Sequence, residues 1–251
     1  MPLLSAFLLL LVTFTFASTA AAETVRLAVA ANFAGAVEPL TAAFRAETGH
    51  DASVSLGSSG KLVAQIRNGA PFDVFLSADQ AKPEALAASG EAVADSRFTY
   101  AVGALALWSA SKDVDVNNAA ALRNGDFGKL ALANPRLAPY GAAAVDVLKS
   151  LGLEDSTRPH WVQGENIGQT YQFVRTGNAA LGFVALSQIT VDGKRPEGSA
   201  WIVPQSLYAP IRQDAILLKR GAQNPAAEAF LTFLASPAAR TIIHNFGYTT
   251  E

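Results

Sequence analysis

Three strand–helix units follow one another directly in the first part of the globular sequence, and their order constrains the fold more than any other feature. The run TVRLAVAAN predicts a strand, and the segment after it carries apolar residues at helical spacing from Phe33 to Phe44. ASVSL and DVFLSA begin the second and third units, and a glycine follows each of the three helices. Units in this order form a parallel sheet with helices on its faces.

A second series of elements follows the first. YAVGALALW, KLALAN and AALGFVAL predict strands, and GAAAVDVLKSLG and NIGQTYQFVRTG predict helices. The run YAPIRQDAILLK predicts a last strand, and two helices broken at Ser236-Pro237 close the chain. We expect these closing helices to pack back on the first block, so that the chain crosses twice between two lobes.

The predicted fold class is therefore α/β, with two lobes that each contain a mainly parallel sheet flanked by helices. The predicted bounds are residues 23–102 and 209–251 for lobe I and residues 103–208 for lobe II. Ligands of open α/β sheets bind beyond the carboxyl ends of the strands. We therefore expect a ligand in the cleft between the lobes.

Residues 1–22 differ in composition from the rest of the chain. An uncharged apolar run, LLSAFLLLLVTFTFA, is followed by small residues at A-x-A spacing. This pattern predicts a secretory signal peptide cleaved near Ala22, although no lysine or arginine precedes the apolar run. The alternative is a retained membrane anchor, for which the run is short. In either case we expect the rest of the chain to be exported.

Charge and cysteine content exclude several classes of function. The chain of 251 residues carries 19 basic and 21 acidic residues, and its net charge of −2 argues against a nucleic-acid partner. It contains no cysteine, so disulfides, zinc–cysteine sites and thiol catalysis are excluded. Half of the residues are hydrophobic, which is enough for a packed core.

Four helix starts combine small residues with neutral hydrogen-bond donors: AANFAG, GSSGKL, NPRLAPYGAAA and GENIGQT. Unpaired backbone N–H groups and the helix dipole favour an anion at such positions. Asn32, Ser58, Ser59 and Tyr140 add side-chain donors. Ordinary N-capping explains any one of these turns, but four of them in one predicted cleft indicate an anion site.

These turns carry no complete catalytic motif. Ser58 and Lys61 match an S-x-x-K spacing, but the companion motifs S-D-N and K-T-G are absent, and the P-loop pattern fails because Leu62 follows Lys61. We expect Lys61 on a solvated helix face. Solvated or structural roles are also expected for the three histidines, His50, His160 and His244. The sequence thus predicts no catalytic residue and no direct ligand of a metal cation, while an exported hydrolase built on Ser59 stays an alternative.

Five long segments of the chain resemble one known family. They are VAANFAGAVEPLTAAF, GSSGKLVAQIRNGAPFDVFLSADQ, NPRLAPYGAAAVDVL, GENIGQTYQFVRTGNAALGFVA and FLTFLASPAARTIIHNFGY. With them the mature chain resembles, over nearly its whole length, the periplasmic molybdate-binding proteins of molybdate ABC transporters. The resemblance implies a type II periplasmic-binding-protein fold with the ligand in the interlobe cleft.

The resemblance also implies a set of anion-binding residues, which is Ala31, Asn32, Ser58, Ser59, Tyr140 and Ile167. Ala31 contributes its backbone and Ile167 its N–H group. Many family members place a tyrosine in the motif G-[IF]-V-Y, where this chain has Ala185. Tyr140 lies in a P-Y-G turn and resembles a branch of the family in which that tyrosine supplies the missing hydroxyl.

The function implied by the resemblance is that of an exported, non-enzymatic receptor. We expect it to bind molybdate, and also tungstate, through neutral donors, with molybdenum held as the oxyanion and no cofactor. We expect a periplasmic monomer that delivers its ligand to an ABC-transporter membrane permease. The alternative is the same fold with another oxyanion or small acid, such as sulfate. Phosphate is a weaker rival because its proton would need an acceptor, and no aspartate or glutamate is among these anion-binding residues.

Overall fold

The structure is a computed structural model that describes residues 22–125, 127–190, 193–194 and 198–250. The predicted signal peptide, except for Ala22 at its end, lies outside the described residues. Within those residues, no helix is both long and apolar enough to cross a membrane.

The described elements alternate along the chain much as the periodicity predicts. The strands are β1 (Thr24–Ala30), β2 (Asp51–Gly57), β3 (Val74–Leu76), β4 (Phe98–Gly103), β5 (Leu105–Ser109), β6 (Leu130–Ala133), β7 (Trp161–Gly164), β8 (Leu181–Ala185), β9 (Ser199–Ile202) and β10 (Ile211–Leu217). The helices are α1 (Ala34–Thr48), α2 (Ser59–Arg67), α3 (Ala81–Ala88), α4 (Ala120–Asn124), α5 (Pro139–Ser150), α6 (Glu154–Thr157), α7 (Ile167–Arg175), α8 (Pro225–Leu234) and α9 (Pro237–Asn245). A 3₁₀ turn, Ala31–Phe33, leads directly into α1.

The strands form two mixed five-stranded sheets, one in each lobe. The sheet of lobe I has the order β2-β1-β3-β10-β4, in which β1 is parallel to β2 and β3 while β10 is antiparallel to β3 and β4. The sheet of lobe II has the order β7-β6-β8-β5-β9, in which β6 is parallel to β7 and β8 while β5 is antiparallel to β8 and β9. The α/β two-lobed fold class is confirmed, but the sheets are mixed rather than mainly parallel, because β10 and β5 run antiparallel to both of their neighbours. The predicted bounds of the lobes stay a prediction.

The prediction of one strand over YAVGALALW was wrong. The run contains the last part of β4, which belongs to the sheet of lobe I, and most of β5, which belongs to the sheet of lobe II. The chain therefore crosses between the lobes at Ala104. Apolar periodicity does not reveal this crossing, because the residues on both sides of it are buried in a core.

Each sheet is covered by helices on both faces. In lobe I, α1, α8 and α9 cover one face through side chains such as Phe44, Phe230 and Ile243, which confirms that the closing helices return to the first lobe. Helices α2 and α3 cover the other face with Leu62 and Leu86.

The strands β7 and β9, which the sequence did not predict, are short edge strands of the second sheet.

The aromatic contact between α1 and α8 generates a stability prediction. Phe230 is fully buried, and its ring centroid lies 5.2 Å from that of Phe44. We expect Phe230→Ala to lower the free energy of unfolding by about 3–5 kcal/mol, because the substitution leaves a cavity between the helices. Urea denaturation followed by circular dichroism measures this loss.

The matched control is Leu56→Ala on the edge strand β2, where the side chain is 50% exposed. We expect that substitution to change stability by about 0.5 kcal/mol or less. Equal losses in the two variants would contradict the placement of α8 against the sheet of lobe I.

Candidate functional site

A small cavity lies between the two lobes, beyond the carboxyl ends of strands from both sheets. The empty space in it, including the part open to solvent, is about 190 Å³. It is lined by Ala30, Ala31, Asn32, Gly57, Ser58, Ser59, Ala78, Ala138, Pro139, Tyr140, Asn166 and Ile167. All six residues of the predicted anion set are among them. No lysine, arginine, histidine or carboxylate occurs in this lining. The electrostatic potential in the cavity is therefore set by hydrogen-bonding groups and helix dipoles.

Four helices begin at the cavity, two from each lobe. The 3₁₀ turn leading into α1 and the first turn of α2 reach it from lobe I, and the first turns of α5 and α7 reach it from lobe II. The first N–H groups of a helix have no carbonyl one turn earlier, and the helix dipole places partial positive charge there. The partially positive N-termini of helices from both lobes therefore converge on the cavity, and this arrangement favours binding of an anion.

The first turn of α2 leaves one backbone N–H group for a ligand. The N–H of Lys61 donates to the Oγ of Ser58 at 3.4 Å, and the N–H of Gly60 donates across the cleft to the carbonyl oxygen of Leu137 at 2.9 Å. Ser59, the first helical residue, has no carbonyl within the helix to which its N–H can donate. We expect this N–H to point toward the ligand position.

The hydroxyl of Ser59 is held in a defined direction. Its Oγ accepts a hydrogen bond from the N–H of Ala78 at 3.0 Å, and the side chain is buried. Because the oxygen is used as an acceptor by the protein, the hydroxyl proton is left to be donated. Ser58 has the same arrangement, since its oxygen caps α2 by accepting from Lys61.

The first turn of α7 contributes from lobe II. The side chain of Asn166 caps the helix by accepting from the N–H of Gln169 at 3.0 Å. Ile167 follows as the first helical residue, so its N–H has no carbonyl within the helix. The side chain of Gln188 donates to the carbonyl oxygen of Ile167 at 3.0 Å and anchors the next peptide group of the helix. The position matches the predicted role of Ile167 as a backbone donor.

Tyr140 supplies a buried hydroxyl from lobe II. The side chain is 1% exposed, and its oxygen accepts a hydrogen bond from Nε2 of Gln213 at 3.2 Å. Burial raises the pKa of Tyr140 well above the ordinary tyrosine value, so the hydroxyl keeps its proton. Ala185, the position of the tyrosine in other family members, ends β8 in the core of lobe II and is not among the lining residues.

The expectation that the Asn32 side chain donates to the anion does not fit the structure. Its Nδ2 atom donates to Oε1 of Gln213 at 2.7 Å and to the hydroxyl of Tyr248 at 2.9 Å. An amide nitrogen has two hydrogens, and both are therefore used inside the protein. Asn32 lines the cavity at the N-terminal end of α1, where its backbone N–H is the group that remains for a ligand.

The partners of Asn32 form a buried polar network that the sequence analysis missed. The members of this hinge network are Asn32, Tyr100, Tyr140, Ser187, Gln213 and Tyr248, and the hydrogen bonds among them join the two lobes. One signal could have indicated it. Arg212, Gln213 and Asp214 are consecutive polar residues in a predicted strand, so at least one of them faces a core, where a polar residue needs a partner.

The residues of a hydrolytic site do not come together. Nδ1 of His50 accepts from the N–H of Glu23, His160 contacts the carbonyl oxygen of Gly128, and His244 contacts Thr250, all outside the cavity. No group of three potential metal-ligating side chains occurs in the part of the chain that the structure describes. Ser58 and Ser59 therefore have no general base beside them.

Lys61 has a partner that the sequence did not predict. Its Nζ lies 3.0 Å from a carboxylate oxygen of Glu165, so the pair bridges α2 in lobe I and the residues before α7 in lobe II. The two side chains are 51% and 65% exposed. Exposed pairs of this kind contribute between 0 and about 1 kcal/mol, and Lys61 does not line the cavity.

Comparisons with known proteins agree with this geometry. The family model described as bacterial extracellular solute-binding protein matches residues 25–249. The chain is 50% identical over 232 residues to the molybdate-binding protein ModA of Azotobacter vinelandii, with 92% of each chain covered. It is 49% identical to the molybdate-binding protein ModA of Rhodobacter capsulatus, with 92% of this chain and 90% of the relative covered.

A solved structure supports the same assignment. The fold superposes on the periplasmic molybdate-binding protein of Azotobacter vinelandii with a TM-score of 0.87 and 41% identity, covering 90% of this chain and 99% of that one. These similar proteins are binding proteins rather than enzymes. The chain belongs to the bacterial extracellular solute-binding protein family.

Proposed function

We propose that this chain is a receptor that binds molybdate, and also tungstate, between its two lobes. The proposed ligand contacts are the backbone N–H groups of Ala31, Asn32, Ser59 and Ile167 and the hydroxyl groups of Ser58, Ser59 and Tyr140. Molybdenum is held as the oxyanion by these donors, without direct coordination by protein atoms and without a cofactor. The relatives named for molybdate binding support this choice of ligand.

The observation that carries the proposal is a cavity without a charged side chain in its lining, at which neutral donors converge. Helix N-termini from both lobes meet there, and the serine hydroxyls and the Tyr140 hydroxyl each have an oxygen already engaged by an N–H donor. Such a site can replace the water around a fully deprotonated dianion. It offers no carboxylate to accept a proton, so hydrogen phosphate is a poor ligand.

The cellular context follows from the same proposal. The receptor is exported through the predicted signal peptide, works in the periplasm as a monomer, and delivers its ligand to an ABC-transporter membrane permease. No nucleic-acid partner is proposed, because the chain has a net charge of −2. Relatives named as periplasmic or as molybdate-binding support this assignment.

Calorimetric titration with a panel of oxyanions tests the proposed ligand. Molybdate and sulfate share charge and shape, but the bonds in molybdate are longer, so donors set for molybdate leave the hydrogen bonds of sulfate stretched. We expect molybdate to bind at least about 100-fold more tightly than sulfate, a difference of about 2.8 kcal/mol. Equal affinities would favour a sulfate or general oxyanion receptor with the same fold.

Removal of single hydroxyls tests the donor set. We expect Ser59→Ala and Tyr140→Phe each to weaken molybdate binding about 10-fold or more, because a hydrogen bond to a charged group contributes about 1.5–3 kcal/mol. Lys61→Met is the matched control from the same helix as Ser59, and we expect less than a fivefold change. If Ser59→Ala left molybdate affinity unchanged and Lys61→Met lowered it strongly, the ligand would bind at the exposed rim of the cleft and not in the cavity.

The close contact at Gly60 predicts opposite effects on stability and binding. A Cβ atom at this position would lie 3.1 Å from the carbonyl oxygen of Leu137, which already accepts from the N–H of Gly60. We expect Gly60→Ala to leave the unliganded protein equally stable or up to about 1 kcal/mol more stable, because alanine favours the helix. We expect molybdate affinity to fall at least about threefold, because the lobes cannot approach fully. Thermal unfolding and titration measure the two effects, and unchanged affinity would mean that the turn at Leu137 moves freely.

A further inference from the structure

Gln213 lies at the centre of the hinge network and connects both lobes. It is fully buried on β10, next to an irregularity in the strand register between Gln213 and Asp214. Its Oε1 accepts from Nδ2 of Asn32 at 2.7 Å and from the hydroxyl of Tyr100 at 3.2 Å. Its Nε2 donates to the hydroxyl oxygen of Tyr140 at 3.2 Å. The first two partners belong to lobe I, and Tyr140 belongs to lobe II.

The two anchors of Oε1 fix the direction of the amide. If the amide turned over, Nε2 would face the Nδ2 hydrogens of Asn32, and two donors would meet in a buried place. The carbonyl end of Gln213 therefore faces lobe I, and the N–H₂ end faces Tyr140. Tyr140 cannot donate back to a group that is itself a donor.

The hydroxyl proton of Tyr140 consequently has few hydrogen-bond acceptors inside the protein. The hydroxyl oxygen of Tyr248 is a neighbouring acceptor, but it is shared with Nδ2 of Asn32, which donates to it at 2.9 Å. An anionic oxygen in the cavity is a stronger acceptor than a phenol oxygen. The Tyr140 hydroxyl also lies close against Gly103, since a Cβ on that residue would be only 1.9 Å from the hydroxyl oxygen.

We infer that Gln213 is a positioning residue that makes the Tyr140 hydroxyl a hydrogen-bond donor to the bound oxyanion and thereby selects fully deprotonated dianions. This inference rests on the proposed function. An anion that carries its own proton, such as hydrogen phosphate, needs an acceptor, and Nε2 of Gln213 takes one of the two acceptor positions of the Tyr140 oxygen. The same amide thus strengthens binding of molybdate and disfavours binding of phosphate.

A double-mutant cycle tests the inference. Gln213→Met removes the amide while keeping a similar shape, and Tyr140→Phe removes the hydroxyl. We expect Gln213→Met to weaken molybdate binding about fivefold or more in the presence of Tyr140, but less than about twofold in the Tyr140→Phe background. We also expect the affinity for inorganic phosphate to stay unchanged or rise in Gln213→Met. Calorimetric titration of the four proteins with molybdate and with phosphate gives both results.

Gln80→Met is the matched control, because the Gln80 amide donates to Thr99 and Asp214 and does not line the cavity. We expect less than a twofold effect of this control on either anion. Near-ultraviolet circular dichroism shows whether Gln213→Met folds. If it does not, Gln213→Asn replaces it in the cycle, because asparagine keeps a neutral amide but is shorter by about one bond length, about 1.5 Å.

The outcomes separate the inference from the proposed function. Equal losses from the Gln213 substitution in both backgrounds, or parallel losses for molybdate and phosphate, would overturn the positioning role while molybdate binding by the wild type stands. A wild type that binds no oxyanion would overturn the proposed function itself.

Discussion

The proposed function depends on burying an anion without a compensating charge. In a cavity that lacks basic side chains, every oxygen of the proposed ligand must be met by a neutral donor, since an unpaired charge in the interior is very costly. Helix N-termini meet this requirement because their N–H groups are free within the helix and carry partial positive charge. The fold brings such ends from both lobes to one point, and the cleft is the place where the two sets meet.

Hydroxyl groups are useful in this cavity only if their protons point inward. A hydroxyl can donate or accept, and the structure removes that choice by occupying the oxygen. The N–H of Ala78 fixes Ser59, the N–H of Lys61 fixes Ser58, and the amide of Gln213 fixes Tyr140. The groups that fix the two serines are backbone N–H groups, which do not depend on the identity of the side chain. Gln213 is a side chain, so the proposed selectivity at Tyr140 can be changed by a single substitution.

Contacts across the cleft connect ligand binding with the relative position of the lobes. The backbone bond from Gly60 to Leu137 and the bond from Ser187 to the carbonyl oxygen of Asn32 both join lobe I to lobe II. A ligand that contacts both lobes stabilises their closed arrangement only through interactions made in that arrangement. The exposed pair of Lys61 and Glu165 adds little to this coupling, since water screens it.

The sequence alone determined the local elements and the helix starts. Apolar periodicity and stop signals located α1, α2, α5 and α7, and neutral residues at their first turns indicated an anion cavity, because these signals act within a few residues. Tertiary structure alone decided which donors remain free and where the chain crosses between the lobes at Ala104. Asn32 and Gln213 are 181 residues apart, yet their hydrogen bond, together with the one from Asn32 to Tyr248, removes the Asn32 side chain from the donor set. Each polar atom has a limited number of hydrogen bonds, and long-range packing, which no local pattern records, determines how they are used.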